Sequence, residues 1–466
     1  MIMNYQESVR ALLSLGRELS APRQPAQSSA PGAAVQKFGL ENITTLSAAL
    51  GNPHRSVPCA HIAGTNGKGS TAAMLESILR SAGLRTGLYT SPHLERVNER
   101  IRINGEDITD SDFAAAWTRV HSTIEQRMAS GALAAHPTYF ECVTAVAFLV
   151  FAEKKLGFAV YEVGLGGRLD STNIVTPEVA VITSIDFDHE SFLGHSIAEI
   201  AAEKAGIIKA GAFVVSAVER PEARAVVAER CREQGAQLIE IDAAYQVTAH
   251  SSGDHYSAIA EPRGSSGPVL KLDPRLPGRF QLRNAMAAAA AARVLAGRGF
   301  PITDGAIERG IRTVDWPGRL EKLSHRPVVY LDGTHNPAGA RELVKFWDDN
   351  FADRRILLVY GTVRDKAVDE IAGLLFPRAQ HVVLTAPGQP RAISAEVLAE
   401  MAGHLAHSYQ VEPDPQRALD LALEMASPGD AVFATGSLYL VGEWRTYWRE
   451  RKMSLEASTP AFRHSE

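Results

Sequence analysis

Only three cysteines occur in 466 residues: Cys59, Cys142 and Cys231. They are widely spaced and lie in apolar stretches. This excludes a disulfide scaffold or a zinc ribbon, and the thiols read as buried and reduced. No stretch approaches the ~20 apolar residues that a membrane-spanning helix requires. No basic segment leading into an apolar one opens the chain, so no secretory leader is expected and the cytoplasm is the expected compartment. Excess positive charge is also missing. The chain has 48 Lys and Arg against 53 Asp and Glu, a net charge of −5, which argues against a nucleic-acid partner. No internal repeat is visible. What remains is an ordinary globular composition, 45% hydrophobic and 22% charged, at a length that suggests two domains.

The most informative segment is His61-Ile62-Ala63-Gly64-Thr65-Asn66-Gly67-Lys68-Gly69-Ser70-Thr71. It joins a strand-like apolar run, 57–63, to a helix-like run, 71–81. Glycines let backbone N–H groups converge on an anion, a helix N-terminus adds positive potential, and the lysine adds a full charge. The general phosphate-loop pattern is G-x-x-x-x-G-K-[ST]. Here Gly64 stands three residues before Gly67, Gly69 takes the usual hydroxyl position, and Ser70 follows it. A plain strand–turn–helix corner would require neither the lysine nor the hydroxyls.

Strands and helices alternate from Val57 onward. Strands are expected at 84–90, 158–163, 179–185 and 213–216, and helices at 139–154 and 196–205. This rhythm predicts an α/β fold with a mostly parallel sheet covered on both faces. Ligands bind at the carboxyl ends of strands in such sheets. The glycine turn, Ser91, Glu162 and the run Asp186–His189 all follow strand ends, so they are expected to share one site. The Pro/Ala/Ser-rich segment 21–34 reads as a mobile loop. Residues 245–276 read as an antiparallel insertion and 284–298 as an alanine-rich helix that permits close packing. A second, Rossmann-like α/β rhythm starts near Val328, with strands at 328–332, 356–360, 381–384 and 431–435. The hinge is expected at 313–319, dividing the chain into domains 1–313 and 314–466.

Several side chains remain ambiguous on their own. Glu162, beside the turn Gly164–Asp170, has the chemistry of a Mg²⁺ ligand. His189 is either a metal ligand or a polar loop residue, with the second reading favoured in isolation. Lys204 on a helix is ordinarily a solvated charge. Asp332 ends a strand and faces a turn in which Asn336 and Pro337 suit a helix start. Arg319 at the hinge is either a phosphate clamp or a surface ion pair. No covalent nucleophile is evident.

Taken together, these segments resemble the folylpolyglutamate synthase and dihydrofolate synthase family of the Mur ligase superfamily. The matching stretches are GTNGKGST (64–71), YTSPHL (89–94), NERIRING (98–105), TYFE (138–141), EVGLGGRLDSTN (162–173), SIDFDH (184–189), EKAGI (203–207), RNAMAA (283–288), WPGRLE (316–321), DGTHNP (332–337) and GSLYLVGE (436–443). They run in order over residues 10–445. The resemblance implies an ATP-dependent amide ligase that adds L-glutamate to dihydropteroate, to folates, or to both, through an acyl phosphate. TYFE and GGRLD point to the bifunctional type. By position, Thr65, Asn66, Gly67, Lys68, Gly69 and Ser70 would hold ATP phosphates. Asn284, Arg319 and Asp332 would contact the nucleotide. Ser91, Glu162 and His189 would bind two Mg²⁺ ions, joined by Lys204 as a carbamate. Lys68, His189 and Lys204 would carry catalysis. Thr138, Tyr139, Phe140, Glu141, Leu169, Asp170 and Ser171 would bind the pterin, with a looser match at 14–17. The resemblance also admits a K⁺ ion and implies a monomer with small-molecule substrates and no nucleic-acid or membrane partner. Gly333-Thr334 departs from the small apolar pair usual before His-Asn-Pro, and Asp186 is an extra acid without an assigned role.

Two other readings compete. A muramyl-peptide ligase would carry a complete UDP-sugar domain before the phosphate turn, where only 63 residues precede Gly64. A simple ATPase or nucleotide switch would give Lys204 no purpose.

Overall fold

The computed structural model describes residues 3–16, 39–264, 267–364 and 366–458. The segment expected to be a mobile loop, 21–34, lies outside them, as does Arg17. Strands β1 (Cys59–Ala63), β2 (Thr86–Tyr89), β3 (Ile101–Ile103), β4 (Glu106–Asp107), β5 (Phe158–Glu162), β6 (Val179–Ile182), β7 (Phe213–Ser216) and β8 (Gln237–Glu240) form one sheet. Its order is β4-β3-β2-β5-β1-β6-β7-β8. The run from β2 to β8 is parallel throughout, and only β3 and β4 are antiparallel. Strands β1, β2, β5 and β6 are buried along their full length. In β5 and β6 the residues are largely β-branched or aromatic, which suits strands covered on both faces.

The insertion forms three antiparallel strands, β9 (Tyr245–Ser252), β10 (His255–Pro262) and β11 (Leu270–Leu272). The second domain contains β12 (Glu321–His325), β13 (Val328–Leu331), β14 (Ile356–Tyr360), β15 (His381–Leu384), β16 (Tyr409–Val411) and β17 (Ala431–Thr435). Its order is β12-β13-β17-β14-β15-β16. Only β12 is antiparallel to its neighbour. The expected fold class is therefore present in both halves.

Most expected strand and helix ends shift by one or two residues, and three move further. The helix after β1 spans Lys68–Ser81, starting before Thr71, because Gly67 at φ 83° ends the turn in the left-handed region. Strand β6 stops at Ile182 and not Ile185. The hydroxyls of Thr183 and Ser184 instead donate to the Asn66 carbonyl at 2.7 and 3.1 Å. The alanine-rich helix begins at Phe280, which puts Asn284 within it and not at its start.

That helix, Phe280–Gly297, packs on Lys68–Ser81. Ala285, Ala287, Ala288, Ala289, Ala291 and Ala292 are completely buried. Small side chains bring the helix close to the one that opens with the glycine turn. We expect Ala288→Leu to overpack this layer and cost about 1–3 kcal/mol. Thermal unfolding of the variant checks it; an unchanged melting temperature would mean that the layer has room to spare.

Candidate functional site

The carboxyl ends of β2, β5, β1 and β6 lie side by side, and each supplies one piece of the site. The loop after β1 is laced to the loop after β6. Thr65 N donates to Ser184 O at 2.6 Å, and Asn66 N donates to Ser184 Oγ at 3.1 Å. Thr65 Oγ1 donates to Asp186 O at 2.9 Å and accepts from Asp186 N at 3.0 Å. These bonds hold the turn rigid with Lys68 as the first helical residue. Lys68 Nζ donates to Thr65 O at 3.1 Å. From β2, Ser91 N donates to Glu162 Oε2, at the end of β5, at 3.0 Å. Lys204, 4% exposed, donates to Gly64 O at 2.9 Å.

The charges are out of balance with their surroundings. Burial lowers the pKa of Lys68, opposed by Glu162 and Asp188. Burial raises that of Glu162, opposed first by Lys68. Burial and the charge of Lys68 push Lys204 down to about 7, against Asp188, Asp170 and Glu203. Desolvated lysines of this kind are relieved by a bound polyanion.

All the candidate residues from Thr65 to Asp332 named above line a single cavity of about 1630 Å³. Leu15, from the looser 14–17 match, lines it too. Some of these side chains are already engaged in holding loops. Thr138 and Glu141 form a capping box at the start of the helix Tyr139–Glu153. Asp170 accepts from the amides of Gly164, Leu165 and Thr172, each at 3.0 Å. Asp332 accepts from Leu320 N at 2.9 Å and Thr334 N at 3.0 Å. Thr334, the departure from the usual pair, adds a hydroxyl bond to Asp332. Asn284 donates to Gln281 Oε1 at 2.9 Å.

Sequence reasoning missed the far wall. Lys366 follows β14 in the second domain, and its side chain is 7% exposed. Its Nζ donates to Asp188 Oδ1 at 2.9 Å and lies 3.3 Å from His189 Nε2. Asn336 Nδ2 donates to Asp188 Oδ2 at 3.0 Å, and Asn336 exchanges hydrogen bonds with Asn66 at 2.9 and 3.1 Å. His335 Nε2 stands 3.7 Å from the same Asp188 carboxylate. Asp186 pairs with Arg220 at 3.0 Å and with Arg341 of the second domain at 3.8 Å. The strand-end rule that selected Ser91, Glu162 and Asp332 did not reach Lys366, because β14 ends at Tyr360 and Lys366 lies further along the loop that follows.

Among the described residues no group of three or more His, Cys, Asp or Glu could hold a metal by itself. The expected donors, Glu162, Ser91 and His189, are one buried carboxylate, one hydroxyl and one imidazole, and all three line the cavity. That set suits Mg²⁺, which keeps waters and completes its shell with substrate phosphates.

Residues 62–292 match the Mur ligase middle domain, and residues 318–438 match the Mur ligase glutamate ligase domain. A dihydrofolate synthase/folylpolyglutamate synthase of Bacillus subtilis is 36% identical over 416 residues, covering 88% of this chain and 94% of its own length. The chain belongs to the folylpolyglutamate synthase/dihydrofolate synthase family. The Escherichia coli enzyme of the same name is 36% identical over 411 residues, 87% of this chain and 90% of its own. A Halobacterium salinarum relative, named a probable bifunctional folylpolyglutamate synthase/dihydropteroate synthase, is 38% identical over 452 residues, and the match spans 52% of its length. Mycobacterium tuberculosis folylpolyglutamate synthase, solved with ADP and AMPPCP, superposes with a TM-score of 0.82 at 33% identity, covering 89% of this chain and 96% of that one. An Escherichia coli structure with DHPP and ADP gives 0.82 at 30% identity, covering 97% and 99%.

Asp188 ties the two domains together. Burial works against its charge, but Lys366, His189 and His335 hold its carboxyl well below the usual range. A depressed carboxylate pKa stabilises above the unfolded value of about 3.9 and loses that effect as pH falls through the folded value. Asp188→Asn leaves Lys366 buried without this counter-charge, and parting the domains relieves it more cheaply than unfolding. We expect a larger radius of gyration by small-angle scattering, with unchanged circular dichroism. An unchanged radius would show that the Asn66–Asn336 pair suffices.

Proposed function

We propose that the chain ligates L-glutamate to dihydropteroate and to reduced folates, with ATP as phosphoryl donor. The observation that carries this reading is the single cavity in which the phosphate turn, the Glu162–Ser91 pair and the TYFE and GGRLD loops face the Lys366–Asn336 wall of the second domain. We place the domain boundary at 313/314, within a hinge over residues 313–319. Trp316 is held to the first domain by Arg102, whose guanidinium lies 4.9 Å from the ring centroid. Gly318 and Leu320 have φ of 74° and 48°, so the chain turns there.

Lys68 and the amides of the Gly64–Ser70 turn bind the ATP phosphates and stabilise charge that develops in transfer of the γ-phosphoryl group. The substrate carboxylate attacks that phosphorus, and ADP leaves. The resulting acyl phosphate is attacked by the amine of glutamate, and phosphate leaves. Ser91, Glu162 and His189 would hold divalent ions, which supply neutralisation of phosphate charge when bound. Lys366, Arg341 and Arg391 line the cavity and offer cationic partners for the carboxylates of glutamate. Asn66, Asn336 and Asp188 keep the domains shut over the reactive acyl phosphate, which excludes water.

Lys204 near pKa 7 is partly an unprotonated amine at neutral pH, the form that adds CO₂. As a carbamate it becomes an anion fit for the metal side of the cavity. Carbamate formation is favoured above pH 7 and lost below it, where the ammonium predominates. We expect Lys204→Ala to fold normally and lose nearly all activity. Native mass spectrometry of the wild type at pH 8 should show one added CO₂ that disappears in this variant. A folded, active Lys204→Ala enzyme would sink the carbamate assignment.

The activity itself is tested by phosphate release from Mg-ATP with L-glutamate, comparing dihydropteroate and tetrahydrofolate as acceptors and checking product mass. Turnover on both is expected. Glutamate-independent hydrolysis without amide product would overturn the ligase reading. Lys366→Ala is expected to raise the KM for glutamate about tenfold or more, with ATP affinity little changed.

A further inference from the structure

We propose that Glu95 is a positioning residue that keeps the Ser91 side of the metal site in register with the second domain. The inference rests on Ser91 facing the metal, as in the function proposed above. The turn Ser91–Arg96 leaves β2 of the first sheet and ends against the second domain. At its near end, Ser91 N is bonded to Glu162 Oε2 at 3.0 Å. Its middle is stiff, because the Glu99 carboxylate accepts from the amides of Leu94, Glu95 and Arg96 at 2.7, 3.0 and 2.8 Å.

The far end is gripped by the last helix, Leu438–Ser458. Leu94 packs against the buried apolar cluster of the second domain that includes Val329, Leu331, Val441 and Trp444. The helix backbone comes so close at Gly442 that a Cβ there would lie 2.0 Å from Leu94 O. The Glu95 side chain, 12% exposed, accepts from Arg445 Nη1 at 2.7 Å, from Thr446 Oγ1 at 2.8 Å, and from Arg449. Arg445 also donates to Glu321 Oε1 at 2.9 Å, at the first residue of β12. Three donors from one helix on a nearly buried carboxylate define its position much more sharply than a single exposed ion pair does. Between Leu94 and Ser91, His93 Nδ1 accepts from Arg100 Nε at 2.8 Å, and Thr90 N donates to Arg100 O at 3.0 Å, so displacement of the helix at Leu94 is passed to the Ser91 end as well. The arrangement makes the seating of the second domain a condition for correct geometry around Glu162 and Ser91.

The test is Mn²⁺ binding in the presence of ADP, read from the electron paramagnetic resonance signal of free Mn²⁺, using the full chain. At saturating ADP, Glu95→Gln and Arg449→Ala are each expected to weaken Mn²⁺ binding, Glu95→Gln by about tenfold, with circular dichroism unchanged. Arg449 is half exposed, so its variant decides the matter even if Glu95→Gln fails to fold. Unchanged Mn²⁺ affinity in these variants, with Ser91→Ala weakening it, overturns the inference and leaves the metal site standing. Unchanged affinity in Ser91→Ala overturns the metal reading and this inference with it.

Discussion

The parallel adjacency of β2, β5, β1 and β6 is the constraint on which the molecule depends. Parallel strands place their carboxyl ends at one edge, and each connection must cross back along the other layers. Four loops therefore converge without any side chain having to reach far. They carry Ser91, Glu162, the turn from Gly64 to Lys68, and Asp186 to His189. The alanine-rich helix Phe280–Gly297 lies against the helix that starts at Lys68, and its small residues keep that helix N-terminus close to the sheet edge.

Electrostatics follow from the same geometry. Because the loops converge in a buried place, Lys68 and Lys204 lose hydration and their pKa values fall. Glu162 and Asp188 compensate only in part. The site is thus prepared for anions, whose binding restores the lysines to their charged forms. Asp188 is the exception among the acids, since three cationic or potentially cationic groups and Asn336 surround it. Three of its partners, Lys366, His335 and Asn336, belong to the second domain, so the same carboxylate that borders the glycine turn also reports whether the domains are together.

Contacts between the domains fall into two groups. Near the cavity are polar links: Asn66 with Asn336, Asp188 with Lys366, and Asp186 with Arg341. Near the linker are packed contacts of Leu94, Glu95 and Gly442 that hold fast. A cleft that opens at one side and pivots at the other is the natural outcome. It suits chemistry in which an acyl phosphate must be shielded from water but products must escape.

Much of this was legible in the letters. Buried parallel strands announce themselves as β-branched runs, and glycine turns with a lysine announce a phosphate site, because local chemistry alone demands those residues. The first-domain candidates and Asp332 were therefore visible, and they do line one cavity. The sequence did not disclose that Asp170, Asp332 and Glu141 each spend hydrogen bonds on their own loops. It also left Asp186 without a partner, and it offered no reason to connect Lys366 with Asp188, 178 positions away. Those relations depend on how two sheets are set against each other across a linker. Periodicity and turn chemistry act over a few residues, whereas the distance between two domains is decided by packing summed over the whole interface.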